Sequence, residues 1–332
     1  MLAWQLHQTG EPKNVLRFSD VPAPHPGAGQ LRVSVRAAAL NFADVLMCRG
    51  EYQIRPDLPF TPGLEVCGQV EKVGTGVTGV MAGDRVIGST VMPHGGFAEI
   101  CLVQADRAFS PPAEFDDAES AALYIAYQTG WMGLHRRARL KAGETLLVHA
   151  AAGGVGSAAV QLGKAAGATV IGVAGGPRKA ATARALGADI VIDHRREDFV
   201  AVVKDATGGR GADVIYDPVG GDVFRRSTKC IAFEGRILIV GFASGEIPSA
   251  ALNHALVKNY SLVGLHWGLY TERDPERVRE CHAALCDLAE VGAIRPVIGE
   301  RLSLDGTADG LKRLADGTTI GRLVVTSGGV GA

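Results

Sequence analysis

The sequence predicts an α/β protein of two domains, one β-rich and one built on a doubly wound parallel sheet. Three observations carry this. The chain has 332 residues, about twice the usual length of one domain. Residues 1 to about 110 hold strand-like stretches such as "QLRVSVRAAAL" and "GGFAEICLV", broken by glycine and proline. From about 120 to 290, short apolar runs and helical spacing alternate five times. A strand needs a crossover before a parallel neighbour, so this alternation implies a parallel sheet.

The second domain opens with "TLLVHA" as a strand, "VGSAAVQLGKAAG" as a helix and "TVIGVA" as the next strand. "RKAATARALG", "DIVIDH", "REDFVAVVKDATG", "ADVIYDPV", the helix-like "GDVFRRSTKCIAFEG" and the strand "RILIVGF" continue the series. "NYSLVGLHW" reads as the last strand, at the sheet's edge. The tail, from "IRPVIGERLSL" to "GRLVVT", is strand-like again and is expected to rejoin the first domain. The expected boundaries are therefore 1–120 with 293–332, and 121–292.

Composition excludes several functions. A hydrophobic fraction of 47% with 21% charged residues fits a soluble globular chain. Lysine and arginine total 34 against 35 aspartate and glutamate, which leaves no basic excess for nucleic acid or an anionic membrane. No apolar run approaches the ~20 residues of a membrane span. The start, "MLAWQLHQTGEPK", does not read as a secretory signal, so a cytoplasmic chain with reduced cysteines is expected. Cys281, His282 and Cys286 share a helical pattern and read as buried thiols beside a surface histidine rather than as a metal site.

The tetrapeptide "GGVG" occurs at 153–156 and again at 328–331. The first copy follows a strand and opens an amphipathic helix, with another strand beyond. There Gly153, Gly154, Val155 and Gly156 form the first turn of a βαβ unit. Glycines let the backbone approach a pyrophosphate, and the helix N-terminus offers free N–H groups. The second copy has no helix after it and no such role. At the end of the next strand, an NAD site usually carries an acid for the ribose 2′-hydroxyl. Here Gly175 and Gly176 stand, followed by Arg178 and Lys179. Two cations attract a 2′-phosphate that a carboxylate would repel, which favours NADPH; the plainer reading is a solvated first turn of a helix.

With "AAAGGVG" behind a strand-rich first domain, the chain resembles the medium-chain dehydrogenase/reductase superfamily, and within it the zinc-independent quinone oxidoreductase branch, the zeta-crystallin-like group. "LNFADVLMCRGEYQ", "LPFTPGLEVCGQV", "GGFAEI", "AYQTGW", "HAAAGGVGSAAVQLGKAAGA", "YDPVGG" and "VGFASG" carry the resemblance over nearly the whole chain. It implies a GroES-like catalytic domain with an inserted Rossmann domain, and a homodimer through the Rossmann edge strand. Zinc-dependent relatives have a cysteine where this chain has Asn41, and a histidine where Gly63, Leu64 and Glu65 replace their G-H-E. Leucine has no lone pair and an asparagine amide is a poor zinc ligand, so no metal is expected.

The resemblance also implies site residues. Asn41 and Tyr52 match polar residues facing the nicotinamide, and Thr129 a threonine near its ring. Gly241 and Phe242 match the loop at the carboxamide side, and Lys179 a cofactor-phosphate lysine. His194 stands where many relatives have a tyrosine, and Arg195 after it would add a phosphate contact. Plainer readings exist for several. Asn41 also reads as a helix N-cap with Asp44 three residues on, Tyr52 as a loop aromatic and Thr129 as a cap. His266 and Trp267 either line the substrate side or pack at an interface, and His149 reads as structural.

The function these residues imply is NADPH-dependent hydride transfer to a quinone or another conjugated carbonyl, an enone or alkenal. Donors such as Asn41 would stabilise charge on the carbonyl oxygen, and Tyr52 or a water would supply a proton to an enone. The alternative within enzymes is an enoyl-thioester (acyl-CoA) reductase, with Arg49 and Arg55 as a basic rim. The alternative of another class is a non-enzymatic, crystallin-like cofactor-binding protein.

Overall fold

The computed structural model describes residues 1–327. The second GGVG, at 328–331, lies outside the described residues. Contacts divide the chain into one unit of residues 1–125 with 296–332 and another of 126–295. The sequence reading placed these cuts near 120 and 292.

The first unit begins with an antiparallel ribbon, β1 (Leu2–Leu6) and β2 (Leu16–Asp20), joined through the short helix α1 (Pro12–Val15). There follow β3 (Gln30–Ala39), α2 (Phe42–Arg49), β4 (Glu65–Val73), β5 (Arg85–Thr90) and β6 (Ile100–Phe109). Helix α3 (Asp117–Trp131) runs from this unit into the next. In β3, Leu31, Val33 and Val35 point inward in alternation, and Ala37, Ala38 and Ala39 are all buried. The reason is pairing: β3 bonds to β4 along its length, to β6 through Gln30–Ser34, and to the last strand through Ala37–Ala39. Since β4, β5 and β6 pair in succession, the β3–β6 contact closes the sheet on itself and removes two edges. Leu31, Val33, Val66, Phe97 and Leu311 are among the side chains of the core.

The second unit runs through β7 (Thr145–Val148), α4 (Gly154–Ala165), β8 (Thr169–Ala174), α5 (Pro177–Ala185), β9 (Ile190–Asp193) and α6 (Phe199–Ala206). It continues with β10 (Ala212–Asp217), α7 (Gly221–Ser227), β11 (Ile231–Ile239), α8 (Leu252–Lys258), β12 (Ser261–Gly264), α9 (Tyr270–Arg273) and α10 (Pro275–Glu290). The six strands pair in the order β12-β11-β10-β7-β8-β9, all parallel. The chain winds outward from β7 to β9, then returns to β10 on the other side of β7 and winds outward again. The carboxyl ends of β7 and β10 thus flank a topological switch point, where such sheets bind ligands. Helix α4 lies close to the sheet because it carries Gly163, where a Cβ would sit 2.4 Å from Leu146 Cδ2.

The chain then returns to the first unit with β13 (Ile298–Leu302), α11 (Thr307–Ala315) and β14 (Arg322–Thr326). Two elements differ from the sequence reading. The stretch "GDVFRRSTKCIAFEG" is helical only to Ser227, and β11 already begins at Ile231; its β-branched and aromatic residues extend along β10 with a register shift. The tail is not all strand: β13 and β14 are parallel, so a crossover had to intervene, and α11 is it.

Candidate active site

The glycine loop leaves β7, whose four residues are all buried. His149 follows, its Nε2 2.8 Å from Ser227 Oγ and its ring edge-on to Phe199. Burial pushes this imidazole down to about 3, so it is neutral and serves as a fastening. Ala150 adopts φ 50°, unusual for a residue with a Cβ, and its carbonyl accepts the Gly153 N–H at 2.8 Å. Helix α4 rises at once from the N-cap Gly153. A Cβ on Gly156 would lie 2.1 Å from the Ala150 oxygen, whereas one on Gly153 would lie 3.3 Å away. The turn is tight because position 156 has no side chain. No acidic residue sits in the first turn of this 12-residue helix, so its free N–H groups and positive end are open to an anion.

The next strand, β8, ends at Ala174 and is followed by Gly175 and Gly176. Asp193, closing β9, accepts the N–H of Gly176 at 2.8 Å and that of Arg195 at 3.1 Å. These bonds, the first above all, hold its carboxyl below the usual range. A Cβ on Gly175 would stand 2.8 Å from His194 Nε2 and 3.4 Å from Arg195 Nε, and one on Gly176 3.3 Å from Arg195 Nη1. The glycine pair therefore makes room for His194 and Arg195. Burial, and then the charge of Arg195, pull the Lys179 ammonium down, which places two cations in one field. Arg178 is on the exposed first turn of α5.

The same sheet edge carries the ends of β10 and β11. The Asp217 carboxylate accepts N–H bonds from Val219 and Gly220 at 2.8 and 3.0 Å. The segment after β11 is tied to this turn by Ala243 N–H to Pro218 O and Ser244 N–H to Val219 O, both 3.0 Å. Gly241 and Phe242 are thereby held beside Gly220, where a Cβ would meet the Phe242 ring at 2.7 Å. Thr129 is buried near the end of α3. Its neighbour Gln128 accepts the Trp267 indole N–H at 3.2 Å, so Trp267 is packed within this unit. His266, beside it, is half-buried. Asp217 and Gln128 were not singled out from sequence; "YDPVGG" and "AYQTGW" contained them without indicating which residue mattered.

In the first unit, Asn41 is the N-cap of α2, and its backbone N–H reaches Asp44 Oδ2 at 2.8 Å. Its side chain is buried in a network. Nδ2 donates to Glu65 Oε1 at 2.9 Å and to Ala39 O at 3.2 Å, and Oδ1 accepts from Arg322 Nη1 at 2.9 Å. Arg322 also pairs with Glu65, whose other oxygen accepts the Ile125 N–H at 2.7 Å. Asp44 and Glu65 are fully buried and Arg322 is 5% exposed. Burial pushes the Asp44 carboxyl up to about 7, against the N–H bonds of Asn41 and Gly63. Glu65 and Arg322 were not predicted as site residues. Glu65 stood in the quoted G-L-E stretch, but a partner 257 positions away has no local signal.

Tyr52 is half-buried against the core of this unit. Burial, then the charge of Asp44, raise its phenol above the usual value. Arg49 does not form an open basic rim, since it holds Glu11 through two bonds of 2.9 and 3.1 Å. Leu64 packs on the core. With Leu64 apolar and Asn41 and Glu65 both committed to Arg322, the donor set here does not fit a zinc ion.

A closed β-rich unit and a six-stranded parallel sheet with a glycine loop at its switch point define a medium-chain dehydrogenase/reductase. The family model for the alcohol dehydrogenase GroES-like domain matches residues 27–113, and the zinc-binding dehydrogenase model residues 154–284. The quinone oxidoreductase-like protein 2 homolog of Nematostella vectensis is 41% identical over 303 residues, 91% of this chain and 82% of that one. Among solved structures, Escherichia coli quinone oxidoreductase complexed with NADPH aligns at TM-score 0.92 and 31% identity, covering 98% of this chain and all of that one. Mycobacterial Rv1454c complexed with NADPH aligns at 0.92 and 32%, with the same coverage. The chain belongs to the quinone oxidoreductase branch of the medium-chain dehydrogenase/reductase superfamily and is an oxidoreductase.

Proposed function

We propose that this protein uses NADPH to reduce a quinone or another conjugated carbonyl, without a metal. The observation that carries this reading is the chemistry around Asn41. With Leu64 in the motif and Glu65 paired to Arg322, no set of zinc ligands remains there among the described residues. An acceptor must then be electron-poor enough to take hydride without a Lewis acid, as quinones and enones are. The two relatives complexed with NADPH support the cofactor, as do Arg195 against Gly175 and Gly176 and Lys179 within its field.

When bound, the cofactor supplies the hydride; orientation and charge belong to this chain's residues. Gly153 to Gly156 and the α4 N-terminus hold the pyrophosphate. Lys179 and Arg195, with His194 and Arg178 beside them, take the 2′-phosphate. Thr129, Gly241 and Phe242 orient the nicotinamide. Tyr52, its phenol raised and hence protonated at neutral pH, donates to the acceptor oxygen or to carbon. Arg49, held by Glu11, offers little to an acyl-CoA phosphate, which weighs against the thioester reading.

A homodimer through the edge of the Rossmann sheet fits the surface of the second unit. Strand β12 is an edge strand with no fully buried residue, and α8 exposes Leu252, Leu256 and Val257. A bare edge beside an apolar helix is normally covered.

The test is oxidation of NADPH, against NADH, with 1,4-benzoquinone, cyclohexenone and crotonyl-CoA, before and after chelation. The reading expects turnover of the free carbonyls, NADPH preference and no loss on chelation. Turnover of crotonyl-CoA alone, or activity lost with stoichiometric zinc, would overturn it.

A further inference from the structure

The Asn41 amide can be placed in its pocket in two ways that differ by exchange of oxygen and nitrogen. The neighbours decide between them. As placed, two hydrogens meet Glu65 Oε1 and Ala39 O, and the oxygen meets Arg322 Nη1. Turned over, the NH2 would face a guanidinium that only donates, and the oxygen a carboxylate that only accepts. Both contacts would become repulsive, inside a site where all three side chains are buried.

We infer that Glu65 and Arg322 are positioning residues that lock the Asn41 amide, with both its hydrogens in use and its oxygen turned toward Arg322 and the first turn of α2. This rests on the proposal that Asn41 serves the acceptor site. The sequence reading cast Asn41 as a donor to the carbonyl oxygen; the lock commits both its hydrogens, and the donor to developing charge is another group.

The chain has four asparagines, Asn14, Asn41, Asn253 and Asn259, and only Asn41 is buried. Protein labelled with [15N]asparagine should therefore give four side-chain NH2 pairs. The pair lost in Asn41→Ala should exchange about 100-fold more slowly than the others, as for a hydrogen-bonded buried group. Glu65→Leu, which leaves no acceptor there, should abolish that protection and lower kcat about tenfold while leaving the Kd for NADPH unchanged. In the Asn41→Ala background the same change should have little further effect on kcat, since a residue acting through another is not additive with it. Should Glu65→Leu strand Arg322 and fail to fold, Glu65→Leu with Arg322→Met removes both charges and carries the same expectations. An unprotected Asn41 NH2 in the folded parent would overturn the lock. Additive losses would show that Glu65 acts by another route. Protection together with an unchanged kcat in Asn41→Ala would remove Asn41 from the acceptor site and the inference with it, while the acceptor panel above would still stand.

Discussion

Gly156→Ala tests the glycine loop at its most crowded point. The added Cβ would fall 2.1 Å from the Ala150 carbonyl oxygen and 2.7 Å from its carbon, where ordinary contact begins at 3.4 Å. The obstacle is backbone, and that carbonyl is already held by the Gly153 N–H. Helix α4 must therefore retreat from the loop by about 1 Å, the amount needed to relieve an overlap that no side-chain rotation can relieve. Forced repacking of this kind costs about 1–3 kcal/mol or more. The displaced atoms are the N–H groups proposed to hold the pyrophosphate, so on that proposal affinity takes the loss: about 100-fold for 3 kcal/mol. Gly153→Ala is the control, since its Cβ would meet the same oxygen at 3.3 Å, and a loss of about threefold or less is expected. The assay is NADPH titration by nicotinamide fluorescence, with thermal melts to confirm that both variants are folded. A folded Gly156→Ala that binds NADPH within threefold of the parent would refute the argument, as would equal losses in the two variants.

Lys179→Ala and Arg195→Ala should each weaken NADPH about tenfold and NADH little, with a smaller effect for the exposed Arg178→Ala; the NADPH/NADH ratio of Kd values is the readout. Tyr52→Phe should lower kcat on an enone about 100-fold and on a quinone much less, because only the enone needs a proton delivered to carbon; an unchanged enone kcat removes Tyr52 from the mechanism. The Asp44 carboxyl, raised in the fold to about 7, contributes stability that is complete below its unfolded value near 4 and is lost as pH rises toward and through 7, so urea unfolding of the parent should lose stability over that window relative to Asp44→Asn by a few kcal/mol. The amide's poorer fit to the N–H groups of Asn41 and Gly63 is independent of pH and only offsets the curve; parallel curves for parent and variant would refute the assignment. Light scattering at micromolar concentration should give twice the chain mass, and Leu256→Glu should shift it toward the monomer; a monomeric parent contradicts the edge-strand dimer.

The strand, turn and helix around the glycine loop were legible because their signals are local. A strand, four residues and a helix spell out the loop at 153–156, and Gly175, Gly176, Arg178 and Lys179 follow in one stretch. Arg178, Lys179 and Arg195 were all named from sequence; what the fold adds is that Arg195, from the next strand end, lies against Gly175 and Gly176 and shares its field with Lys179. Two residues adjacent in sequence on a helix face different ways, and which of them meets a neighbour depends on the strand alongside. Helix α11 was missed because a strand-like tail gives no hint that β13 and β14 pair in parallel. The network around Asn41 was legible only in part. Asp44 was visible as the third residue after a cap, but Glu65 and Arg322 lie 24 and 281 positions from Asn41. Such pairing is a product of the sheet, since β3, β4 and β14 each deliver one end to the same place.

That network is not explained by stability. Two carboxylates and a guanidinium lie together out of water, and desolvating such groups costs about as much as their attraction returns; well-packed apolar side chains in their place are often neutral or stabilising. Asp44 makes the point within the molecule: although it accepts the N–H groups of Asn41 and Gly63, burial still drives its carboxyl toward the neutral form. An apolar trio would hold β3, β4 and β14 together at least as well. What it would not do is distinguish the two ends of the Asn41 amide, because hydrocarbon makes no choice between oxygen and nitrogen. A fixed carboxylate on one side and a fixed guanidinium on the other do make that choice, and direction is the one property of the site that the buried charges supply and packing cannot.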